Sequence, residues 1–254
     1  MDQQTATASQ QIMRTSLVRS LSRHLDLTVR ERAFLGRMGE GSQVVAKGHV
    51  LIRAGHAADA LHVLDDGWAT ASGTAPSGRP HVFRLYLPGE LIGFAEIASR
   101  STRHDVRMRT RGAVARIPRE RLAELYRDHP RLAALFTALA SMNEGVLRDH
   151  AVALARMDGE RRLKTFLLQL RARLHVESVG TGDRVRVPFS QAEIGDMTGM
   201  TPIYVNRLLR GWIAAGDLQV ERPYFLLRAR ARWETETGFT DPFGPVDTSW
   251  FPAA

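Results

Sequence analysis

The stretch FSQAEIGDMTGMTPIYVNRLLRGWIAAGDL, Phe189 to Leu218, decides how the rest of this chain is read. Ser190-Gln191-Ala192-Glu193 is a capping box, in which the serine and the glutamate each satisfy a free backbone N–H at a helix start. The first helix places Ile194 inward, and Gly195 lets a second helix cross at close range. Gly199 supplies a tight turn. Thr201 and Pro202 then open the second helix as N-cap and first helical residue, where a missing N–H costs nothing. Met200, Val205 and Leu208 complete a small shared core, which is the spacing of a helix-turn-helix. With Val205, Leu208, Trp212 and Ile213 assigned inward, the second helix leaves Ile203, Tyr204, Asn206, Arg207 and Arg210 towards solvent. An amide and a guanidinium on that side can pair bidentately with adenine and guanine edges in a major groove.

Immediately downstream, GDLQVERPYFLLR predicts two short strands joined at Glu221-Arg222-Pro223, the wing of a winged helix. Its arginines, with Arg228, Arg230 and Arg232, are candidates for phosphate contacts. Ser190, Gln191 and Thr201, at the two helix starts, complete the candidate DNA face.

The composition agrees. Thirty-five Lys and Arg residues against 27 Asp and Glu give a formal charge of +8, carried almost wholly by arginine, whose planar fork suits phosphate and guanine. A length of 254 residues and a hydrophobic share of 44% support two domains or one large one, with a sizeable core. The chain has no cysteine, which excludes disulfides, thiolate zinc sites and cysteine-ligated iron–sulfur clusters. No P-loop, dinucleotide fingerprint, nucleophile elbow or His-Glu-x-x-His occurs, so neither an enzyme nor a resident metal or cofactor is expected. His49, His56 and His62 read as surface or satisfied core groups. With no signal-peptide core and no membrane-length apolar run, a cytoplasmic protein without membrane contacts is expected.

Upstream, the periodicity changes twice. Residues 1–22 read as a flexible lead-in. Residues 23–130 contain short alternating runs such as Val82-Phe83-Arg84-Leu85-Tyr86-Leu87, closed by Gly, Pro or Asp, which predict an antiparallel β-roll, barrel or sandwich. Over residues 131–157, Leu132, Leu135, Leu139, Met142 and Val146 recur at three- and four-residue steps. That narrow apolar seam predicts a long helix pairing with a second copy. Asp158 is placed to cap the next helix at a hinge, residues 158–232 form the DNA-binding domain, and 233–254 read as a tail. The fold class is therefore α+β.

Taken together, the PGELIG turn (residues 88–93), the long helix, the aspartate at the hinge and FSQAEIGDMTGMTPIYVNRLL resemble the Crp/Fnr family of bacterial regulators. The resemblance spans about Leu25 to Arg232. It implies a cyclic-nucleotide-binding-like β-roll sensor, a homodimer along the long helix, and transcription control through promoter DNA and RNA polymerase. Arg207 matches the family's later base-reading arginine, and Asn206 the adjacent variable position. Pro202 and Ile203 stand where members often carry Arg-Glu. The cyclic-AMP pattern is broken too, because Phe94 follows Gly93 where a ribose-binding glutamate is needed. Arg100-Ser101 and Arg103 fall at other spacings. Candidates for any effector pocket are Glu90, Gly93, Glu96, Arg100 and Arg103, with Glu96 and Arg103 as a rearranged pair. Cyclic AMP is not the expected effector. The alternative function is a cyclic-nucleotide-regulated protein acting through protein contacts alone.

Overall fold

The computed structural model describes residues 16–74, 80–177 and 183–253. Most of the expected lead-in, residues 1–15, and part of the connection before the helix-turn-helix, residues 178–182, lie outside the described residues. The chain divides into two compact units. One runs to Ser141 and takes in Pro245–Ala254, and the other is Met142–Gly244.

In the first unit, alternation of apolar and polar residues produces eight strands among the described residues: β1 Glu40–Val45, β2 Val50–Ile52, β3 Ala60–Asp66, β4 Ala69–Thr74, β5 Pro80–Tyr86, β6 Leu91–Ile92, β7 Asp105–Met108 and β8 Gly112–Pro118. They form two four-stranded antiparallel sheets, in the orders β1-β8-β3-β6 and β2-β7-β4-β5. Ile52, Leu64, Ala71, Ile92, Val106 and Met108 form one core. This is the expected β-roll.

A second core lies where helices cover β3 and β8. Helices α1 (Ser16–Leu21) and α2 (Val29–Met38) bring Leu17, Leu21, Phe34 and Met38 against Leu61, Val63 and Ile117. Residues 16–21 are thus not part of a flexible lead-in, because Leu17, Val18 and Leu21 are all buried. Phe251 also packs on this cluster. Helix α3 (Arg121–Asp128) precedes α4 (Pro130–Arg156).

The expected dimer seam needs correction at its first residues. Leu132 and Leu135 are each 0% exposed within their own unit's core, and Leu139 packs on the same cluster, so none of the three is a free face. Met142 and Val146 are half-buried. The open large apolar side chains among the described residues of α4 lie further along, at Leu147 (53% exposed), Val152 (52%) and Leu154 (41%). A periodic seam looks the same whether its own domain or a second copy covers it.

The second unit holds α5 (Gly159–Glu177), β9 (Arg184–Arg186), α6 (Gln191–Thr198), α7 (Pro202–Ala214), β10 (Leu218–Glu221), β11 (Tyr224–Leu227) and α8 (Arg230–Thr237). Asp158 caps α5, its carboxylate accepting from Arg161 N at 2.9 Å. Helix α8 occupies part of the stretch read as a tail. Its Trp233 is wholly buried, with its ring centroid 4.6 Å from that of Trp212.

Candidate nucleic-acid interface

Local chemistry builds the helix-turn-helix. Ser190 and Glu193 make the capping box: Ser190 Oγ accepts from Glu193 N, and Ser190 N donates to Glu193 Oε2 at 2.9 Å. At the end of α6, Gly199 is left-handed (φ 66°), where a side chain would be strained. A β-carbon on Gly195 would lie 2.4 Å from Met200 O, so only glycine allows the turn to fold back this closely. Thr201 then caps α7 by accepting from Tyr204 N at 3.3 Å, with Pro202 in the first turn.

Val205, Leu209 and Trp212 form the buried face of α7. Leu208 is only half-buried, and Ile213, expected inward, is exposed. Leu209 takes the inward place because it lies four residues after Val205 on the same helix face. Below this face sits a charged brace. Lys164 Nζ lies 2.7 Å from both Glu160 Oε1 and Glu236 Oε2, and Trp212 Nε1 donates to Glu160 Oε1 at 3.2 Å. Hydrogen bonds from Lys164 and Trp212 lower the Glu160 pKa. Burial opposes a charged Lys164, but the two glutamates outweigh it and raise its pKa. Paired on both sides, this buried ammonium links α5 to α8, and the Trp212 hydrogen bond ties α7 to the same glutamate.

That outer face carries Ile203, Asn206, Arg207 and Arg210, at i, i+3, i+4 and i+7. Ile203 is 83% exposed. Asn206 Oδ1 accepts from Gln191 Nε2 at 3.0 Å, which ties the start of α6 to the middle of α7. Among the described residues, no carboxylate pairs with Arg207 or Arg210. Tyr204 departs from expectation. Its ring packs at Gly159, where a β-carbon would fall 2.3 Å from Cε1, and the Arg207 guanidinium lies 4.6 Å from the ring centroid. Tyr204 is therefore a platform for Arg207 rather than part of the free face. The sequence gives no sign of the role of Gly159, because its neighbour Tyr204 is distant along the chain.

The wing forms as expected. Strands β10 and β11 pair from Leu218↔Leu227 to Glu221↔Tyr224, leaving Arg222-Pro223 as an exposed tip, and β9 pairs with the other edge of β11. Arg222 has no carboxylate partner among the described residues, and Arg228 bonds the neutral Gln219 Oε1 at 3.0 Å. Two expected phosphate contacts are taken up elsewhere. Arg230 donates to Asp183 Oδ1 at 2.7 Å and to both Glu234 oxygens, and Arg232 is paired with Asp217 and Glu236. The Glu234 hydrogen bonds, with Asp183 adding to them, raise the Arg230 pKa against the effect of burial.

The β-roll holds a cavity of about 350 Å³. Gly93 and Glu96 line it, joined by Arg53, His56, His62 and Thr102, which the sequence did not single out as pocket residues. Burial and the Arg116 guanidinium lower the His62 pKa to about 4, so the ring is neutral at pH 7. Glu90, Arg100 and Arg103 do not line this space. The Glu90 carboxylate accepts from Leu87 N in the turn, and both arginines are exposed. Glu96 is paired with His104, not Arg103, with Oε1 3.2 Å from Nδ1. Phe94 turns into the core, its ring edge-on to Phe136 with centroids 5.9 Å apart. Among the described residues there is no cluster of three or more metal-ligating side chains, and no helix is long and apolar enough to cross a membrane.

Residues 42–129 match the cyclic nucleotide-binding domain family, and residues 161–232 match the Crp-like helix-turn-helix domain family. The chain is 23% identical over 188 residues to the anaerobic regulatory protein of Haemophilus influenzae, covering 74% of this chain and 73% of that protein. It is 24% identical over 184 residues to the transcriptional activator protein Anr of Pseudomonas protegens, covering 72% and 75%. In fold it is similar to FixK2 from Bradyrhizobium japonicum, with a TM-score of 0.65 and 23% identity over 77% of this chain and 96% of that one.

Proposed function

Because this chain belongs to the Crp/Fnr family and is a DNA-binding transcription regulator, we propose that it acts on promoter DNA as a homodimer, with α7 of each protomer in successive major grooves. Its site is then an inverted repeat, with half-site centres about 34 Å apart on one side of the duplex. The observation that carries this reading is the face of α7, where Asn206, Arg207 and Arg210 stand clear of any carboxylate partner among the described residues. Ser190 and Thr201 cap the two helix starts, and the Gln191 side chain holds Asn206, so the three set the position of the α7 face against the duplex. Arg222 and Arg228 flank the groove from the wing. Bound in this way near a promoter, the protein controls transcription through RNA polymerase.

The dimer forms along the second half of α4. Asn143, Leu147, His150 and Leu154 fall at alternating four- and three-residue steps, the a/d spacing of a two-stranded coiled coil, and Leu147 and Leu154 are already uncovered. Met142 and Val146 flank that stripe. Sedimentation of two variants tests the assignment. Leu147→Asp is expected to give folded monomers that no longer bind DNA tightly. Leu135→Ala is expected to stay dimeric while losing about 2 to 5 kcal/mol of fold stability. Dimers of Leu147→Asp would place the interface elsewhere.

Cyclic AMP does not fit as the effector. Phe94 occupies the position that needs an acid for the ribose and is committed to the core, and Arg103, the candidate phosphate ligand, is outside the cavity lining.

A further inference from the structure

The family assignment does not say which bases this protein reads, and the recognition face here has an unusual chemical order. From its N-terminal end it runs apolar at Ile203, amide at Asn206, then guanidinium at Arg207 and Arg210. A single exposed isoleucine is ordinary on a protein surface. The position of this one is the informative point. Ile203 lies in the first turn of α7, the end of a recognition helix that reaches deepest towards base edges. It has 83% of its surface exposed, although the buried face of the same helix is filled by Val205, Leu209 and Trp212.

From these observations we propose that Ile203 and Asn206 together read a thymine, Ile203 by packing on the C5-methyl group and Asn206 by donating to O4. The proposal rests on the reading of α7 as the groove-facing helix.

The chemistry of the first turn leaves few alternatives. It carries no acidic residue to accept from cytosine N4, and Pro202 has no side-chain donor or acceptor. The Thr201 hydroxyl oxygen accepts from Tyr204 N, which holds it at the cap and leaves it only an O–H to donate. Ile203 can only make apolar contact, and the apolar feature of a major-groove edge is the thymine methyl. A β-branched side chain is stiff at χ1, so little rotamer freedom is lost on contact. One turn on, Asn206 Oδ1 already accepts from Gln191 Nε2 at 3.0 Å, while its Nδ2 has no partner among the described residues. The pair therefore offers an apolar surface beside an N–H donor. Thymine offers the complement, a methyl beside the O4 acceptor. Arg207 follows Asn206 directly, so the thymine stands within about one or two base pairs of the guanine that Arg207 grips.

The test uses the full-length protein and its preferred site, obtained by selection from random duplexes. Each thymine in the selected site is replaced singly by deoxyuridine, which removes only the methyl group. At one thymine per half-site, near the guanine, the wild type is expected to lose about fourfold in affinity, and about fifteenfold when both half-sites are changed. Ile203→Ala should bind the thymine site with a similar loss and show no further response to deoxyuridine. Its melting temperature should match the wild type, since the side chain is almost wholly exposed. If the wild type prefers a sequence but ignores the methyl at every thymine, the proposal is wrong and the groove reading stands. The proposal also fails if Ile203→Ala remains as methyl-sensitive as the wild type. Absence of any sequence preference would overturn the groove reading and the proposal with it.

Discussion

Helices α7 and α8 belong to the same unit and both carry a pair of arginines, yet the two pairs are in opposite electrostatic states. On α7, Arg207 rests on the Tyr204 ring and Arg210 is open, with no carboxylate on either among the described residues. On α8, Arg230 is held by Asp183 and Glu234, and Arg232 by Asp217 and Glu236. A guanidinium already bound to two carboxylates would have to break those contacts to meet a phosphate, and it adds little net positive potential. Total charge therefore does not locate a DNA surface. The positions of the cations left without carboxylates do.

The largest effect expected from this contrast is at Arg207. Arg207→Ala should lose about 1 to 3 kcal/mol per half-site and relax the preference at one base pair, read by titration against single-base variants of the preferred site. A uniform loss across all sequences would mean that this arginine positions the helix without reading a base.

A smaller effect is expected at the wing tip, where Arg222 has no carboxylate partner among the described residues. Arg222→Ala should weaken all sequences alike and lower the slope of log affinity against log salt by about 0.9 for each phosphate that is no longer neutralised. A change of base preference with an unaltered slope would move Arg222 from phosphate binding to base reading.

The smallest effect on DNA belongs to Arg230. Arg230→Ala should leave both the salt slope and the base preference unchanged. It should cost fold stability instead, about 1 kcal/mol or less because the pair is over a third exposed to solvent, seen as a melting temperature a few degrees lower. A flattened salt slope in this variant would break the comparison, since it would show that a doubly paired arginine still reaches phosphate.

The features legible in the sequence are those made within three or four residues. The capping box of Ser190 and Glu193, the glycine turn at Gly199 and the Thr201 cap are all closed by hydrogen bonds between near neighbours. The two-residue wing tip is equally plain. Sequence reading fails where the deciding partner is remote. Asp183 meets Arg230 across 47 residues, and Asp217 meets Arg232 across 15, so those two contacts leave no local signal, whereas Glu234 and Glu236 meet the same arginines one helical turn along α8. Trp233 sits in no periodic pattern, and its burial beside Trp212 appears only once α8 is folded against its neighbours.

The long helix shows the same limit. Leu132, Leu135, Leu139, Met142 and Val146 mark one apolar side of α4, but periodicity reports which residues avoid water and not what excludes it. Burial in the helix-covered core removes Leu132 and Leu135 from any interface and leaves Leu147, Val152 and Leu154 uncovered.

By itself, then, the sequence determined the class of this protein: a β-roll, a long helix and a winged helix-turn-helix with an arginine-rich face. Helical periods, strand alternation and end caps are local consequences of backbone geometry and solvent avoidance, and need no knowledge of the whole chain. Only the tertiary structure decided which arginines remain free of carboxylates, which apolar side chains stay uncovered, and that Phe94 is committed to the core. Apart from the Glu234 and Glu236 contacts, which lie one helical turn along α8, those outcomes depend on pairs brought together across long stretches of chain, where charge neutralisation and burial follow distance in space rather than spacing in sequence.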